Sequence, residues 1–94
     1  MHCENIEISR HALKSSLDRG IELLEAIEVV KRGEIVTKYL DTKPHPCYLL
    51  MGFSKGKPLH VVVARDETTE ECWLVTVYVP DPIIWNEDFK SKKK

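Results

Sequence analysis

The chain predicts an α+β domain in which two N-terminal helices pack on a four-stranded antiparallel sheet, in the order α-α-β-β-β-β. Three observations carry that expectation. Apolar residues recur at helical spacing as far as Gly33 and alternate after it, so the period falls from 3.6 to 2. The connections after the first strand are short, which suits an antiparallel meander. A chain of 94 residues, 43 % of them hydrophobic, supports one modest core. A single domain over 1–94 is therefore expected, with Lys90-Ser91-Lys92-Lys93-Lys94 as a frayed basic tail.

The first helix opens at Ser9, whose hydroxyl suits an N-cap. Ala12, Leu13 and Leu17 form its apolar stripe, and Gly20 ends it in a left-handed conformation with Ile21 folding back. The second helix runs from Leu23 to Arg32, with Lys31 and Arg32 at the end of the dipole that favours cations, and Gly33 stops it. Ile35 to Leu40 is the first strand. Two prolines make Asp41 to Pro46 a loop. Cys47 to Phe53, Leu59 to Arg65 and Cys72 to Val79 follow as strands, the first two joined by a turn at Ser54-Lys55-Gly56-Lys57. Pro80-Asp81-Pro82 ends the last strand, and Ile83-Ile84-Trp85 is expected to dock on the body.

Alternation assigns Leu59, Val61 and Val63 to the core, together with Trp73, Val75, Val77 and Val79. His60, Leu74, Thr76 and Tyr78 then take the opposite face. In that register His60 lies across from Tyr78, and Arg65 across from Trp73.

Charged residues make up 31 % of the chain, yet the net charge is −1, which argues against a nucleic-acid binder that relies on bulk charge. Cys3, Cys47 and Cys72 are widely spaced and form no C-x-x-C pair, so they are expected as reduced thiols of a cytoplasmic protein. No signal-peptide h-region and no membrane-length apolar run is present. His2, Cys3, His45 and Cys47 match no recognised ligand spacing, so neither a metal nor a cofactor is expected.

His11 falls off the apolar stripe of the first helix, beside Ser15 and Asp18, with Arg10, Lys14 and Arg19 around it. An inert surface histidine among solvated cations is the plain alternative. His60 interrupts the aliphatic run Leu59 to Ala64 and is either a cross-strand pairing residue or a titrating group on the open face. Histidines, a tyrosine and cations on one side suit metal-free RNA cleavage. A base takes the 2′-hydroxyl proton, an acid protonates the leaving 5′-oxygen, and cations stabilise the phosphorane.

Ser9-Arg10-His11-Ala12, Arg19-Gly20-Ile21, Gly33-Glu34-Ile35, Pro58 to Ala64 and Thr76 to Pro82 occur in an order and spacing that cover nearly the whole chain. On these residues the chain resembles a small domain-of-unknown-function family (four-two-five-eight), which is similar to the RelE-like ribonuclease toxins. The resemblance implies a RelE-like fold shared with barnase-type nucleases and the toxin half of a toxin–antitoxin pair. The activity implied is that of a metal-independent endoribonuclease cutting mRNA, on or off the ribosome. The implied partners are RNA and a cognate antitoxin of zinc-finger or helix-turn-helix type. Related sequences often carry H-A-x-x-R-M-x-x-R-G-I in the first helix. His11, Ala12, Arg19, Gly20 and Ile21 match it, whereas Ser15 and Ser16 stand where arginine and methionine are usual. The expected catalytic residues are His11, His60 and Tyr78, with Arg10, Lys14 and Arg19 holding substrate. The competing expectation is a non-catalytic protein- or RNA-binding module on the same fold.

Overall fold

A computed structural model describes residues 1–94. The sheet has five strands and is mixed, which corrects the expected four-stranded antiparallel sheet. The strands are β1 (Asn5–Ile8), β2 (Glu34–Tyr39), β3 (Cys47–Ser54), β4 (Lys57–Arg65) and β5 (Glu71–Tyr78), and the helices are α1 (Arg10–Arg19) and α2 (Leu23–Arg32). Their spatial order is β1-β5-β4-β3-β2. β2 to β5 form the expected antiparallel meander, and β1 adds itself parallel to β5, pairing Asn5 with Glu71 through Ile8 with Leu74. The added strand, Asn-Ile-Glu-Ile, is short, half polar and at a sheet edge, so its pattern is too weak to announce it. The intervening helices and antiparallel strands provide the long crossover that a parallel pair requires.

A disulfide between Cys3 and Cys72 ties β1 to β5. Cys3 and Cys72 were expected as separate thiols; the parallel pairing of β1 is what brings the two cysteines together, and only Cys47 is free.

Both helix ends form as anticipated. The Ser9 hydroxyl accepts from the Ala12 amide at 3.0 Å. Gly20 sits at φ 64°, with its own amide donating to Leu17 and the Ile21 amide to Ser16, the paired bonds of a Schellman end. A reciprocal Glu22–Glu25 capping box starts α2.

The buried face of α1 differs from the expected stripe. Ala12, Ser15 and Ser16 are buried, whereas Leu13 is 45 % and Leu17 73 % exposed. The cause is where α1 lies. β1 covers β5 only as far as Leu74, and α1 lines the edge beyond it. There the Ser9 amide donates to the Leu74 carbonyl, the Ser9 hydroxyl to that of Val75, and Arg19 to that of Val77. A helix approaching backbone that closely needs small residues in contact, which displaces the leucines to the flank.

The principal core joins Ala12, Ile21, Ala26, Val29 and Val30 to Leu50, Leu59, Val61, Val63, Cys72, Leu74 and Val77. The expected β5 phase holds at Val77 alone: Val79, also expected in the core, is 47 % exposed, and before Val77 the phase shifts. Val62 pairs with Thr76 but Val63 with Leu74, so Val75 is an extra residue. That bulge turns Leu74 inward and sets Trp73 outward, where its ring stacks on His45 at 4.9 Å. It also moves Arg65 from the expected partner Trp73 to Cys72.

The second face of the sheet is covered as well. Leu49, Met51 and His60 lie on that face and are buried, with Trp85 8 % exposed. Trp85 docks as anticipated, while Ile83 and Ile84 remain exposed. The basic tail turns back: Lys90 pairs with Glu34 at 2.8 Å, the Lys93 amide donates to Ile84, and Lys92 lies over the Trp85 ring. No helix is long and apolar enough to cross a membrane.

Candidate functional site

His60 and Tyr78 face each other across β4 and β5, as the alternation anticipated. The Tyr78 hydroxyl lies 3.2 Å from His60 Nδ1, and the two rings meet edge to face at 5.3 Å. The open face expected for His60 is not open there, because the residue is 0 % exposed. Trp85 stands edge-on to the imidazole at 4.6 Å, and the Phe89 carbonyl lies 2.7 Å from Nε2.

These partners determine which nitrogen carries the proton. A carbonyl only accepts, so Nε2 donates to Phe89. In the neutral ring Nδ1 is then an acceptor, and the Tyr78 hydroxyl donates to it. Burial pushes the His60 pKa below its ordinary value, against the smaller opposing effect of the Phe89 bond, and so favours this neutral form. Tyr78 is partly exposed. Its phenol is pushed upward, first by desolvation and then by the charge Tyr39 would carry, so it stays protonated at neutral pH.

Arg19 reaches the strand that carries Tyr78, since its guanidinium donates to the carbonyl of Val77, the residue preceding Tyr78. One turn earlier the Ser15 hydroxyl bonds that of Thr76 at 3.1 Å. Ser15 therefore occupies the helix–sheet seam. His11 lies one turn before Ser15 on the flank of α1 opposite the leucines; it is exposed and has no hydrogen-bond, ion-pair or ring partner in the fold. Arg10 is exposed, and Lys14 is exposed and paired with Asp18 at 2.9 Å. The fold thus joins His60, Tyr78 and the edge that holds Arg19, and leaves His11, Arg10 and Lys14 on the surrounding surface.

The other histidines are engaged elsewhere. His45 stacks on Trp73, and His2 lies 3.2 Å from Glu4 and 3.1 Å from Glu70. The Phe89 carbonyl is the contact that sequence inspection missed. It is a backbone group, so no residue type signals it, although the docking of Trp85 pointed to the segment that delivers it.

A family model described as "Domain of unknown function (DUF4258)" matches residues 8–79. No curated protein and no solved structure matches the chain. His11, Arg19, His60 and Tyr78 fall inside the matched span. Trp85 and Phe89, which cover His60, fall outside it.

Proposed function

The chain belongs to the DUF4258 family, and from that premise we propose that it is a metal-independent endoribonuclease, the toxin of a toxin–antitoxin pair. The observation that carries the reading is the Tyr78–His60 hydrogen bond beside the Arg19-bearing edge of β5. The buried imidazole holds the protonated phenol in place, and the phenol serves as the acid when its O–H turns from Nδ1 to the leaving oxygen. In this scheme His11 takes the 2′-hydroxyl proton, and the 2′-oxygen attacks phosphorus. Tyr78 delivers its proton to the departing 5′-oxygen, leaving a 2′,3′-cyclic phosphate and a 5′-hydroxyl end. His60 positions Tyr78 without touching substrate. Arg19 stabilises the phosphorane charge, and Arg10 and Lys14 hold flanking phosphates.

The match of His11, Ala12, Arg19, Gly20 and Ile21 to the first-helix pattern supports the same reading, as does the position of His11, Ser15 and Arg19 along one side of α1. RNA is the substrate, the cytoplasm the place of action, and a zinc-finger or helix-turn-helix antitoxin the partner. In a reducing cytosol the Cys3–Cys72 bridge persists only if its potential lies below that of the thiol pool.

A non-catalytic binding module is the second reading. It is favoured by the complete burial of His60 and by the apolar surface that Leu13, Leu17 and Leu24 leave open between the helices. Expression of wild type and His11→Ala in a bacterium without the partner separates the two. Growth arrest with RNA loss in the wild type alone supports the nuclease. Wild-type expression that leaves growth and RNA unchanged supports the binding module.

A further inference from the structure

Residues 80–94 cross the second face of the sheet and end the access of solvent to His60. Pro80 and Trp85 are their buried anchors, and beyond Trp85 their contacts with the sheet are few. Trp85 packs against the imidazole, Phe89 meets Phe53 edge to face at 6.5 Å, and Lys90 pairs with Glu34 on β2. Within the segment the Asn86 amide donates to Ser91 and that of Lys93 to Ile84. The Lys90–Glu34 pair is solvent-exposed, and such pairs add little. Phe89 itself sits at φ 54°, a left-handed conformation that costs a side-chain-bearing residue free energy. Beyond Trp85 the segment is thus weakly pinned, and it is strained at the residue whose carbonyl reaches His60.

We propose that the segment 80–94 is a strap that switches the direction of the Tyr78 proton by locking the tautomer of His60. With the strap down, the Phe89 carbonyl requires a proton on Nε2, so Nδ1 has only a lone pair to offer. The Tyr78 hydroxyl then spends its proton on Nδ1 and points inward, away from any substrate. With the strap lifted, Nε2 meets water, which both donates and accepts. The proton moves through solvent from Nε2 to Nδ1, with no net gain or loss. Nδ1–H now donates to the phenolic oxygen, and the Tyr78 proton is free to point outward. The strap-down state is the resting state and the lifted state the competent one. The idea rests on the nuclease reading for its consequence, but the switch itself is a property of the ring.

The switch is tested without RNA. Amide exchange and the nitrogen-15 shifts of His60 are measured on the full-length wild type and on full-length Trp85→Ala. In the wild type the Asn86 and Lys93 amides are expected to exchange at least about tenfold faster than those of β4, through local opening. His60 is expected to show Nε2–H. In Trp85→Ala the strap amides exchange faster still, β4 is unchanged, and an Nδ1–H population grows. If Trp85→Ala does not fold, Trp85→Leu, which keeps apolar bulk but loses the edge-on ring contact with the imidazole, is read in the same way. Strap amides that exchange only with the whole fold overturn the proposal, as does an opened variant that keeps Nε2–H. Because neither readout involves cleavage, a failed nuclease reading and a failed switch are told apart.

Discussion

His60 donates its Nε2 proton to the carbonyl of Phe89 at 2.7 Å, so the ring is satisfied only while it is neutral and covered. Protonation would put a positive charge in a fully buried site and oblige Nδ1 to stop accepting from Tyr78. The downward shift of the His60 pKa expresses that cost, and it has a sign. Between the folded pKa and the unfolded value near 6.5, the unfolded chain binds more protons than the folded one. Stability from this group is fully present above about pH 6.5 and is lost as the pH falls toward the folded value. Urea midpoints at pH 7.5 and 5.5 are expected to fall with acid in the wild type and to fall less in His60→Gln. Equal losses in both proteins would remove His60 from the explanation.

The disulfide sets a second expectation. Cys3 and Cys72 are 69 residues apart, a long loop for the unfolded chain to close. Chain-entropy bookkeeping assigns such a bridge about 4 kcal/mol, a figure that native strain and unfolded-state structure reduce. Cys3→Ala is expected to lower the denaturation midpoint substantially and to release β1 from the sheet, seen as lost amide protection at Ile6 and Ile8. Added reductant should do the same to the wild type and nothing further to the variant. A midpoint indifferent to reductant would show that the bridge contributes no stability.

Two glycines are held for different reasons, and alanine separates them. A Cβ on Gly33 would lie 2.5 Å from the Val29 carbonyl oxygen and 2.8 Å from that of Met51, both backbone atoms. A Cβ on Gly20 meets nothing within 4 Å, and its cost there is only the left-handed φ of 64°. Gly20→Ala should cost about 1–2 kcal/mol, and Gly33→Ala more, about 3 kcal/mol or above, since backbone must move. Thermal unfolding ranks the pair, and the reverse order would contradict the packing of α2 against β3.

The phase of α1 can be checked at its surface. Leu17→Gln is expected to change stability by less than about 0.5 kcal/mol, because the side chain is mostly in water. Ala12→Leu is expected to cost about 1–3 kcal/mol, because its site is fully buried. Chemical denaturation of both decides whether the leucines or the small residues face the sheet.

Much of this molecule was legible in its residues, and the failures share a cause. The Ser9 cap, the Gly20 and Gly33 stops and the β2–β5 meander each depend on local chemistry or on a period. The His60–Tyr78 pairing followed from alternation and survived because the β5 bulge falls on its other side, at Val75. What was missed depends on contacts far apart in sequence. β1 is recognisable as a strand only once β5 is beside it. The buried face of α1 is set by carbonyls of Leu74, Val75 and Val77, and a helical wheel drawn from side-chain polarity prefers Leu13 and Leu17. The Cys3–Cys72 bridge was obscured by an argument from compartment, and the cover over His60 by a backbone carbonyl that no letter of the sequence encodes.

The most direct measurement is single-turnover cleavage of a single-stranded RNA by wild type and Tyr78→Phe in excess EDTA. The substitution removes one hydroxyl and leaves the ring, so the fold is retained. The wild type is expected to yield 2′,3′-cyclic phosphate ends without metal, and Tyr78→Phe to be slower by about a hundredfold or more, the range for loss of a proton donor. Cleavage at the same rate in both proteins, or no cleavage by the wild type, would contradict the assignment of Tyr78 as the proton donor that His60 positions.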